Sequence, residues 1–368
     1  MTERLVNQYV PEIVAAPGET LAEILEDRGM SQAELAERMG RPKKTISEIV
    51  GAKAEITPET ALQLEHVLGV PASFWSNLER NYRDYLARAE EMESLLEHVD
   101  WPRRFPLRQM EAFGFTTWPA EKTARVRALL EYFGVSSLQQ WESRYVGALA
   151  AFRLPKKFEP DIYALTAWLR EGERVALAAT CAPFQPATFR GMLQEARALT
   201  MESEPEVFLP RLRGLCAQAG IAVAVVPELK GARACGATRW LSPTKALIQL
   251  SFRYKSNDQF WFTFFHECGH IELHGKREAF VEVWRGSTGS KESENEANRF
   301  SADLLIPPQA LRRFIEADDL TERAIVSFAK RIAVAAGIVV GRLQHDGALD
   351  FSQFNQLKIR YRWTDDDD

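Results

Sequence analysis

The sequence predicts an α+β protein that is mostly helical, with an all-helical N-terminal domain and a later domain built on a small sheet. Apolar residues recur at three- and four-residue steps over most of the 368 residues, which predicts amphipathic helices. Short segments rich in Val, Ile and Phe occur near residues 220 to 255 and predict strands: IAVAVVPEL, GATRW and KALIQLSFRY. A strongly apolar helix, DQFWFTFFHECGHIELHG, is predicted directly after them.

The composition is that of an ordinary globular chain with a sizeable core, at 46% hydrophobic and 26% charged residues. The four cysteines, at positions 181, 216, 235 and 268, include no CxxC pair, which favours the reducing cytoplasm. No segment approaches the roughly 18 apolar residues of a membrane span, and the N-terminus has no apolar core of a signal peptide. We therefore expect a cytoplasmic protein with no membrane partner.

The pattern divides the chain into five segments. Residues 14–75 read as a compact set of short helices, and a long linker helix is predicted over 76–104, ending near Pro102. A helical middle region covers 105–214 and contains no cofactor motif. The predicted sheet and apolar helix belong to a domain over 215–347, and a C-terminal helix with an acidic tail, Asp365 to Asp368, is predicted over 348–368.

The segment SQAELAERMGRPKKTISEIVGAK, residues 31–53, predicts two helices joined by a short turn. Ser31 and Glu34 form a capping-box pattern, and Gly40 ends the first helix. The second helix is predicted to start near Lys43. This arrangement is typical of a helix-turn-helix that offers its second helix to the major groove of DNA. The alternative is an ordinary helical hairpin with a solvated polar face.

The net charge of −5 excludes a generally nucleic-acid-coating protein and leaves room for a small DNA-reading domain. Lysines can reach guanine acceptors or phosphates, and a glutamine at a helix start can contact phosphate or base. Since the rest of the first 80 residues is acidic, we expect few phosphate contacts and a homodimer on double-stranded operator DNA. The candidate DNA contacts are Gln32, Lys43, Lys44, Thr45, Ser47 and Glu48.

The motif HExxH occurs as His266-Glu267-Cys268-Gly269-His270. On a helix, positions i and i+4 share a face, so both imidazoles can reach one metal ion. Glu267 can then act as general base toward a metal-activated water. A chance HExxH on an amphipathic helix is the alternative. A glutamate on so apolar a helix is costly to bury without a partner, which favours a zinc site.

A catalytic zinc takes three protein ligands, so a third is needed. Glu294 lies on the predicted helix SENEANRFSADLLIP, with Glu296 as its nearest competitor and Glu292 less favoured. Helix geometry lets only one of Glu294 and Glu296 face the metal. His274 follows His270 at too short a spacing to be the last histidine of the HExxHxxGxxH pattern. It is therefore predicted to be an outer-sphere group, or a histidine that the helix dipole favours at the C-terminal end of the helix.

The segments FWFTFFHECGHIELHGK and ESENEANRFSADLLIP resemble the ImmA/IrrE family of metallopeptidases, over roughly residues 215 to 345. The resemblance implies a zincin-like fold and a zinc endopeptidase whose substrates are often repressor proteins. Its pattern places the acidic ligand three positions before Ala297, on Glu294. Ser301 stands where many relatives have alanine.

Residues 14 to 88, including Pro17-Gly18-Glu19, ITPETALQLE and FWSNLE, resemble HigA-type antitoxins with a Cro/C1-type (XRE) helix-turn-helix. The resemblance implies a dimeric repressor and a RelE-like ribonuclease toxin as partner. The added peptidase-like domain departs from short antitoxins.

Two functions follow as hypotheses. The first is a DNA-binding transcriptional regulator that carries a zinc-dependent endopeptidase and cleaves a regulatory protein. The second is a non-catalytic antitoxin or repressor whose zinc domain is a sensor or a partner-binding scaffold. Tyr254 and His274 remain alternatives for an oxyanion-stabilising group. FAKRIAVAAGIVVGRLQHDG, at 328–347, resembles a second helix-turn-helix, but helices that support the peptidase core are the favoured interpretation.

Overall fold

The computed structural model describes residues 14–147, 160–253, 255–275, 280–283, 286–287 and 290–361. The chain divides into two compact units, Met1–Val99 and Asp100–Asp368. The predicted class, mostly helical with one small sheet, is confirmed. Tyr254 and the acidic tail lie outside the described residues.

Within residues 14–99, the part of the first unit that the structure describes, there are five helices. Ser31 Oγ accepts a hydrogen bond of 3.1 Å from the Glu34 amide, and Gly40 ends the second helix with a φ of +66°. The third helix begins at Lys43, directly after Pro42, so the predicted pair of helices and the turn between them are present. The helices are α1 (Pro17–Asp27), α2 (Gln32–Met39), α3 (Lys43–Val50), α4 (Pro58–Leu68) and α5 (Ala72–Glu97).

One apolar core holds these helices together. Each of the five contributes a buried side chain, and the largest of these is Trp75, at the start of α5. Four residues further along α5, the buried Glu79 accepts a hydrogen bond of 3.1 Å from the Ile56 amide. The first turns of the predicted linker helix therefore belong to the core of this unit.

The second unit contains eleven α-helices among its described residues, together with three 3-10 segments and a π-helical segment at Glu142–Val146. The 3-10 segments are Trp101–Arg104, Leu199–Met201 and Asn355–Leu357. The α-helices are α6 (Leu107–Ala112), α7 (Lys122–Phe133), α8 (Leu138–Trp141), α9 (Ile162–Ala178), α10 (Pro186–Ala198), α11 (Pro205–Gln218), α12 (Asn257–Leu273), α13 (Lys291–Leu305), α14 (Pro308–Glu316), α15 (Glu322–Ile332) and α16 (Ala336–His345).

Among the described residues the sheet has five strands in the order β1-β3-β2-β4-β5, where the sequence predicted three. The predicted strands are β1 (Ile221–Val225), β2 (Ala234–Ser242) and β3 (Lys245–Leu250), and β4 (Phe280–Val283) and β5 (Gly286–Ser287) extend the sheet beyond them. β1 pairs with β3 in parallel, and the other pairs are antiparallel. The strand β2 therefore has a neighbour on each side.

Helices cover both faces of this sheet. Successive side chains of a strand point to opposite faces. Gln249 of β3 donates to the Trp168 carbonyl of α9 at 2.7 Å, and Gly172 of α9 has no side chain where Gln249 lies. Thr238 of β2 instead bonds Glu267 of α12. Gln249 is paired across the sheet with Ala237, so these two side chains share one face. Thr238 follows Ala237 and points to the other face, so the contact of Gln249 with α9 and that of Thr238 with α12 lie on opposite faces of the sheet.

The predicted middle region, 105–214, lies in the same compact unit as the sheet. Its aromatic side chains form a cluster in which Trp141 stacks on Tyr163 of α9 at a centroid distance of 5.3 Å. Phe105 and Phe133 meet at 5.4 Å in the same cluster. Through α9, this region packs against the face of the sheet opposite to α12.

The C-terminal helices are structural, as favoured from the sequence. Buried side chains of α15 and α16, such as Phe328 and Val339, belong to the main core of this unit. No single helix among the described residues has the length and apolar character of a membrane span, and α15 and α16 meet that description only together, with a bend of 112° between them.

The prediction of an α-helix over 348–368 is not met in the described part, since 348–361 contains the 3-10 turn and an isolated β-bridge between Arg360 and Ser256 but no α-helix. The Gln344 side chain of α16 donates to the Gln353 carbonyl at 2.8 Å, and Lys358 pairs with the buried Asp258 at 2.7 Å. These contacts hold the segment in an irregular path along α16 and the start of α12.

Candidate metal centre

Helices α12 and α13 approach closely at Gly269. A Cβ atom on Gly269 would lie 3.0 Å from Ala297 Cα, which is tighter than ordinary van der Waals contact. One helical turn from Ala297, Ser301 Oγ donates a hydrogen bond of 2.8 Å to the Phe262 carbonyl of α12. This packing brings Glu294, one turn before Ala297, over the histidines of α12.

The three predicted ligands converge. His266 Nε2 and His270 Nε2 lie 3.0 Å apart. The two carboxylate oxygens of Glu294 lie 3.3 Å from His266 Nε2 and 3.6 Å from His270 Nε2. Among the described residues these three form a group whose donor atoms all lie within 4.8 Å of one another.

These residues fit a zinc ion by distance and by donor type. Zn–N and Zn–O bonds of about 2.0–2.2 Å in a tetrahedron place neighbouring donors about 3.3 Å apart, close to the separations seen here. Two imidazoles and a carboxylate are donors that catalytic zinc sites use. Burial, with the neighbouring His266 and His274, lowers the pKa of His270 to about 2, so its ring is neutral at pH 7 and able to bind a metal.

Each ligand imidazole has a second contact through its other nitrogen. His266 Nδ1 lies 3.0 Å from Asn298 Oδ1, and His270 Nδ1 lies 3.0 Å from His274 Nδ1. The competitor Glu296 contacts His274 Nε2 at 3.2 Å, and Glu292 is exposed. The structure therefore brings Glu294, rather than Glu296 or Glu292, to the donor group.

The predicted general base, Glu267, is fully buried next to the strand β2. Thr238 Oγ1 donates to Glu267 Oε2 at 2.5 Å. A Cβ atom on Gly236 would overlap Glu267 Oε1 and would lie 2.7 Å from Thr263 Cγ2. The absence of a side chain at Gly236 therefore leaves room for the Glu267 carboxylate. Thr238 and Gly236 were not predicted as site residues from the sequence. Both residues lie in the predicted strand GATRW. They are two positions apart, so their side-chain positions share one face of the sheet, and this shared face is the only signal in the sequence that could have linked them.

Gly236→Ala should disturb this carboxylate directly. The new methyl group overlaps Glu267 Oε1, so either β2 or the Glu267 side chain has to move. We expect a loss of about 1–3 kcal/mol in the free energy of unfolding, as for other overpacked cores. Chemical denaturation measures it, with Gly191→Ala as the control because nothing lies within 4 Å of a Cβ at Gly191. Equal stability of the two variants would contradict the assigned contact.

The candidate DNA contacts lie on α2 and α3 of the first unit. Lys43, Lys44 and Ser47 are exposed, whereas Gln32, Thr45 and Glu48 are half-buried. Charge on these helices is partly compensated, since Lys44 Nζ lies 3.7 Å from a Glu48 oxygen. Residues 14–99 contain nine lysines and arginines against sixteen acidic residues. Any attraction of DNA phosphates to this unit therefore depends on the few exposed basic side chains.

Comparison with known proteins gives matches in both units. Residues 21–75 match a family described as helix-turn-helix, and residues 230–344 match a family described as the IrrE N-terminal-like domain. An uncharacterized HTH-type transcriptional regulator, YddM, of Escherichia coli is 35% identical over 74 residues, which are 20% of this chain and 77% of YddM. The chain belongs to the helix-turn-helix regulators. It combines this helix-turn-helix domain with an IrrE-like domain, so both resemblances predicted from the sequence are confirmed.

Other relatives match the chain over short stretches. Virulence-associated protein A of Dichelobacter nodosus is 41% identical over 59 residues, or 16% of this chain, and the chain spans 58% of that protein. A solved addiction module antidote protein of a HigA family from Coxiella burnetii is 30% identical. The match covers 23% of this chain and 92% of that structure, with a TM-score of 0.22.

Proposed function

We propose that this helix-turn-helix regulator binds operator DNA and that its IrrE-like domain is a zinc-dependent endopeptidase that cleaves a regulatory protein. The observation that supports the peptidase most is the convergence of His266, His270 and Glu294 donor atoms beside the buried Glu267. The match of residues 230–344 to the IrrE-like family agrees with this proposal.

His266, His270 and Glu294 would hold the zinc ion, and their three donors leave a fourth position open for water or substrate. Zinc, when bound, supplies Lewis acidity, which polarises a carbonyl group and makes water more acidic. Asn298 Oδ1 accepts a hydrogen bond from His266 Nδ1, so it holds that ring with Nε2 directed at the donor group.

Glu267 supplies the acid–base chemistry. Its carboxylate takes a proton from the attacking water and later transfers that proton to the nitrogen of the leaving amine. The hydrogen bond from Thr238 holds one oxygen of the carboxylate in place. Complete burial excludes bulk water from Glu267, which strengthens its electrostatic interactions with reacting groups.

Of the two candidate oxyanion groups, His274 is disfavoured. Its Nδ1 contacts His270 and its Nε2 contacts Glu296, so both ring nitrogens already have partners. An extended substrate cannot add to β2, the strand beside Glu267, without displacing a neighbour, because β3 and β4 occupy both of its edges.

The peptidase proposal is tested on the zinc-loaded full-length protein. It is incubated with repressor proteins encoded beside its gene and with itself, and new N-termini are identified by mass spectrometry. We expect at least one specific cut that a chelator prevents and added Zn²⁺ restores. Intact substrates in the presence of stoichiometrically bound zinc would contradict a peptidase acting on these proteins.

A non-catalytic regulator is the second candidate, and burial of the site favours it. His266, Glu267 and His270 are each at most 2% exposed, and a polypeptide substrate needs direct access to them. In this alternative the zinc site is a sensor or a scaffold for a protein partner, such as a RelE-like toxin. Cleavage of a protein substrate distinguishes the two functions. It requires that substrate binding open the site, so its detection favours the peptidase.

Lys43→Ala/Lys44→Ala should weaken operator binding, because these exposed side chains begin the helix offered to the major groove. We expect a loss of about 10- to 100-fold in affinity and a shallower salt dependence, by about one unit of log–log slope per lost phosphate contact. A titration with the upstream region of its own gene, at two salt concentrations, measures both.

The matched control is Arg80→Ala/Arg88→Ala, which removes the same charge from exposed positions of α5. If both double variants lose affinity equally, binding depends on net charge alone and α3 is not the reading helix. If neither loses affinity, operator binding by this surface is wrong.

A further inference from the structure

We propose that Glu296 and His274 form a hydrogen-bonded chain that orients His270 as a metal ligand and sets how tightly the metal is retained. This inference depends on the proposed zinc site. It assigns a positioning role to two residues, one of which the sequence suggested only as a rival ligand.

The chain is continuous in the structure. Glu296 Oε2 lies 3.2 Å from His274 Nε2, and His274 Nδ1 lies 3.0 Å from His270 Nδ1. The opposite nitrogen of His270, Nε2, is the one that faces His266 and Glu294. The three side chains therefore connect the surface to the donor group: Glu296 is 61% exposed, and His270 is buried.

Only one arrangement of protons satisfies these two contacts when His270 binds the metal through Nε2. A histidine that binds metal through Nε2 keeps its proton on Nδ1. That Nδ1–H of His270 has to donate to His274 Nδ1, which must then be unprotonated. The neutral ring of His274 consequently carries its proton on Nε2 and donates it to the Glu296 carboxylate. Each donor meets an acceptor, so the chain fixes the tautomer of His270.

The backbone places His274 for this role. His274 caps the C-terminal end of α12, directly after Leu273, and its amide donates to the His270 carbonyl at 3.1 Å. Its extended conformation, with φ −115° and ψ 164°, turns the chain away from the helix while its ring stays on His270, at a centroid distance of 5.1 Å. α13 supplies both carboxylates, with Glu294 contacting the ligand rings directly and Glu296 acting through His274.

Glu296 has little structural value apart from this contact. An exposed ion pair contributes little to stability because water screens it. A group that orients a ligand, by contrast, typically changes metal affinity by about 10- to 100-fold when removed. Metal affinity and protein stability therefore separate the two roles.

The test compares zinc dissociation constants of the full-length protein, measured by competition with a chromophoric chelator. Glu296→Gln should bind zinc about 10- to 100-fold more weakly. Glu292→Gln, which removes the same charge from an exposed position of α13, should match the unsubstituted protein. The apo forms should melt at the same temperature, and the visible spectrum of the Co²⁺-loaded protein should change in Glu296→Gln alone.

Two variants at His274 make the test sharper. His274→Ala should lose at least as much affinity as Glu296→Gln, and adding Glu296→Gln to it should cause no further loss, because the chain is already broken. His274→Asn should recover part of the affinity, since its carbonyl oxygen can accept from His270 Nδ1. Equal zinc affinity in Glu296→Gln and Glu292→Gln would overturn the inference. Absence of zinc binding by the unsubstituted protein would instead overturn the proposed function.

Discussion

Glu267→Gln is expected to stop peptide hydrolysis while the protein still binds zinc. A glutamine is nearly the same size as glutamate and can stay beside Thr238, but it cannot accept the proton of the attacking water. General-base groups contribute about 10²- to 10⁴-fold, so we expect kcat to fall by at least about 10²-fold. The cleavage rate is measured on the same substrate as for the unsubstituted protein, together with the bound zinc.

Glu272→Gln is the matched control on the same helix. Glu272 pairs with Arg190 at 2.7 Å and is not part of the donor group, so its loss should leave hydrolysis within about 2-fold, as expected for a substitution of a surface ion pair. A Glu267→Gln protein that cleaves as fast as the control would remove Glu267 from the mechanism. Unchanged regulation of the target genes by Glu267→Gln would favour the non-catalytic function.

Helical periodicity made much of the site predictable. The i, i+4 spacing of His266 and His270 places them on one face, and the structure has both rings at the donor group. The choice between Glu294 and Glu296 needed the family pattern in addition, because the two side chains lie only two residues apart. The structure shows why the choice was close: Glu294 contacts the ligand histidines of α12, and Glu296 contacts His274, the residue that caps this helix.

Contacts between distant segments were not predictable. Thr238 and Gly236 meet Glu267 only because β2 packs against α12, and nothing in a strand pattern says which helix will cover it. The strands β4 and β5 were missed because they are only four and two residues long and owe their pairing to β2. The 3-10 turn near residue 355 likewise follows from the Gln344 and Lys358 contacts rather than from local preference.

Glu294→Ala is expected to cost more metal affinity than any outer-sphere substitution. It removes one of three donors, leaving two imidazoles on one helix, so the loss should exceed the about 10- to 100-fold typical of outer partners. A ligand at 100 times its dissociation constant stabilises a protein by about 2.7 kcal/mol. We choose the zinc concentration that stabilises the unsubstituted protein by this amount. At that concentration, zinc should give Glu294→Ala almost no stabilisation in a thermal unfolding experiment.

The comparison with Glu296→Gln decides between the rival ligands. If Glu294 is the ligand, Glu294→Ala loses the zinc-dependent stabilisation, and Glu296→Gln keeps a reduced part of it because His270 is only less well oriented. The reverse order, with Glu296→Gln the more damaging, would mean that α13 turns on metal binding and that Glu296 becomes the ligand. Since α12 and α13 pack so closely that a Cβ atom on Gly269 would lie 3.0 Å from Ala297 Cα, such a rotation would first have to separate the two helices.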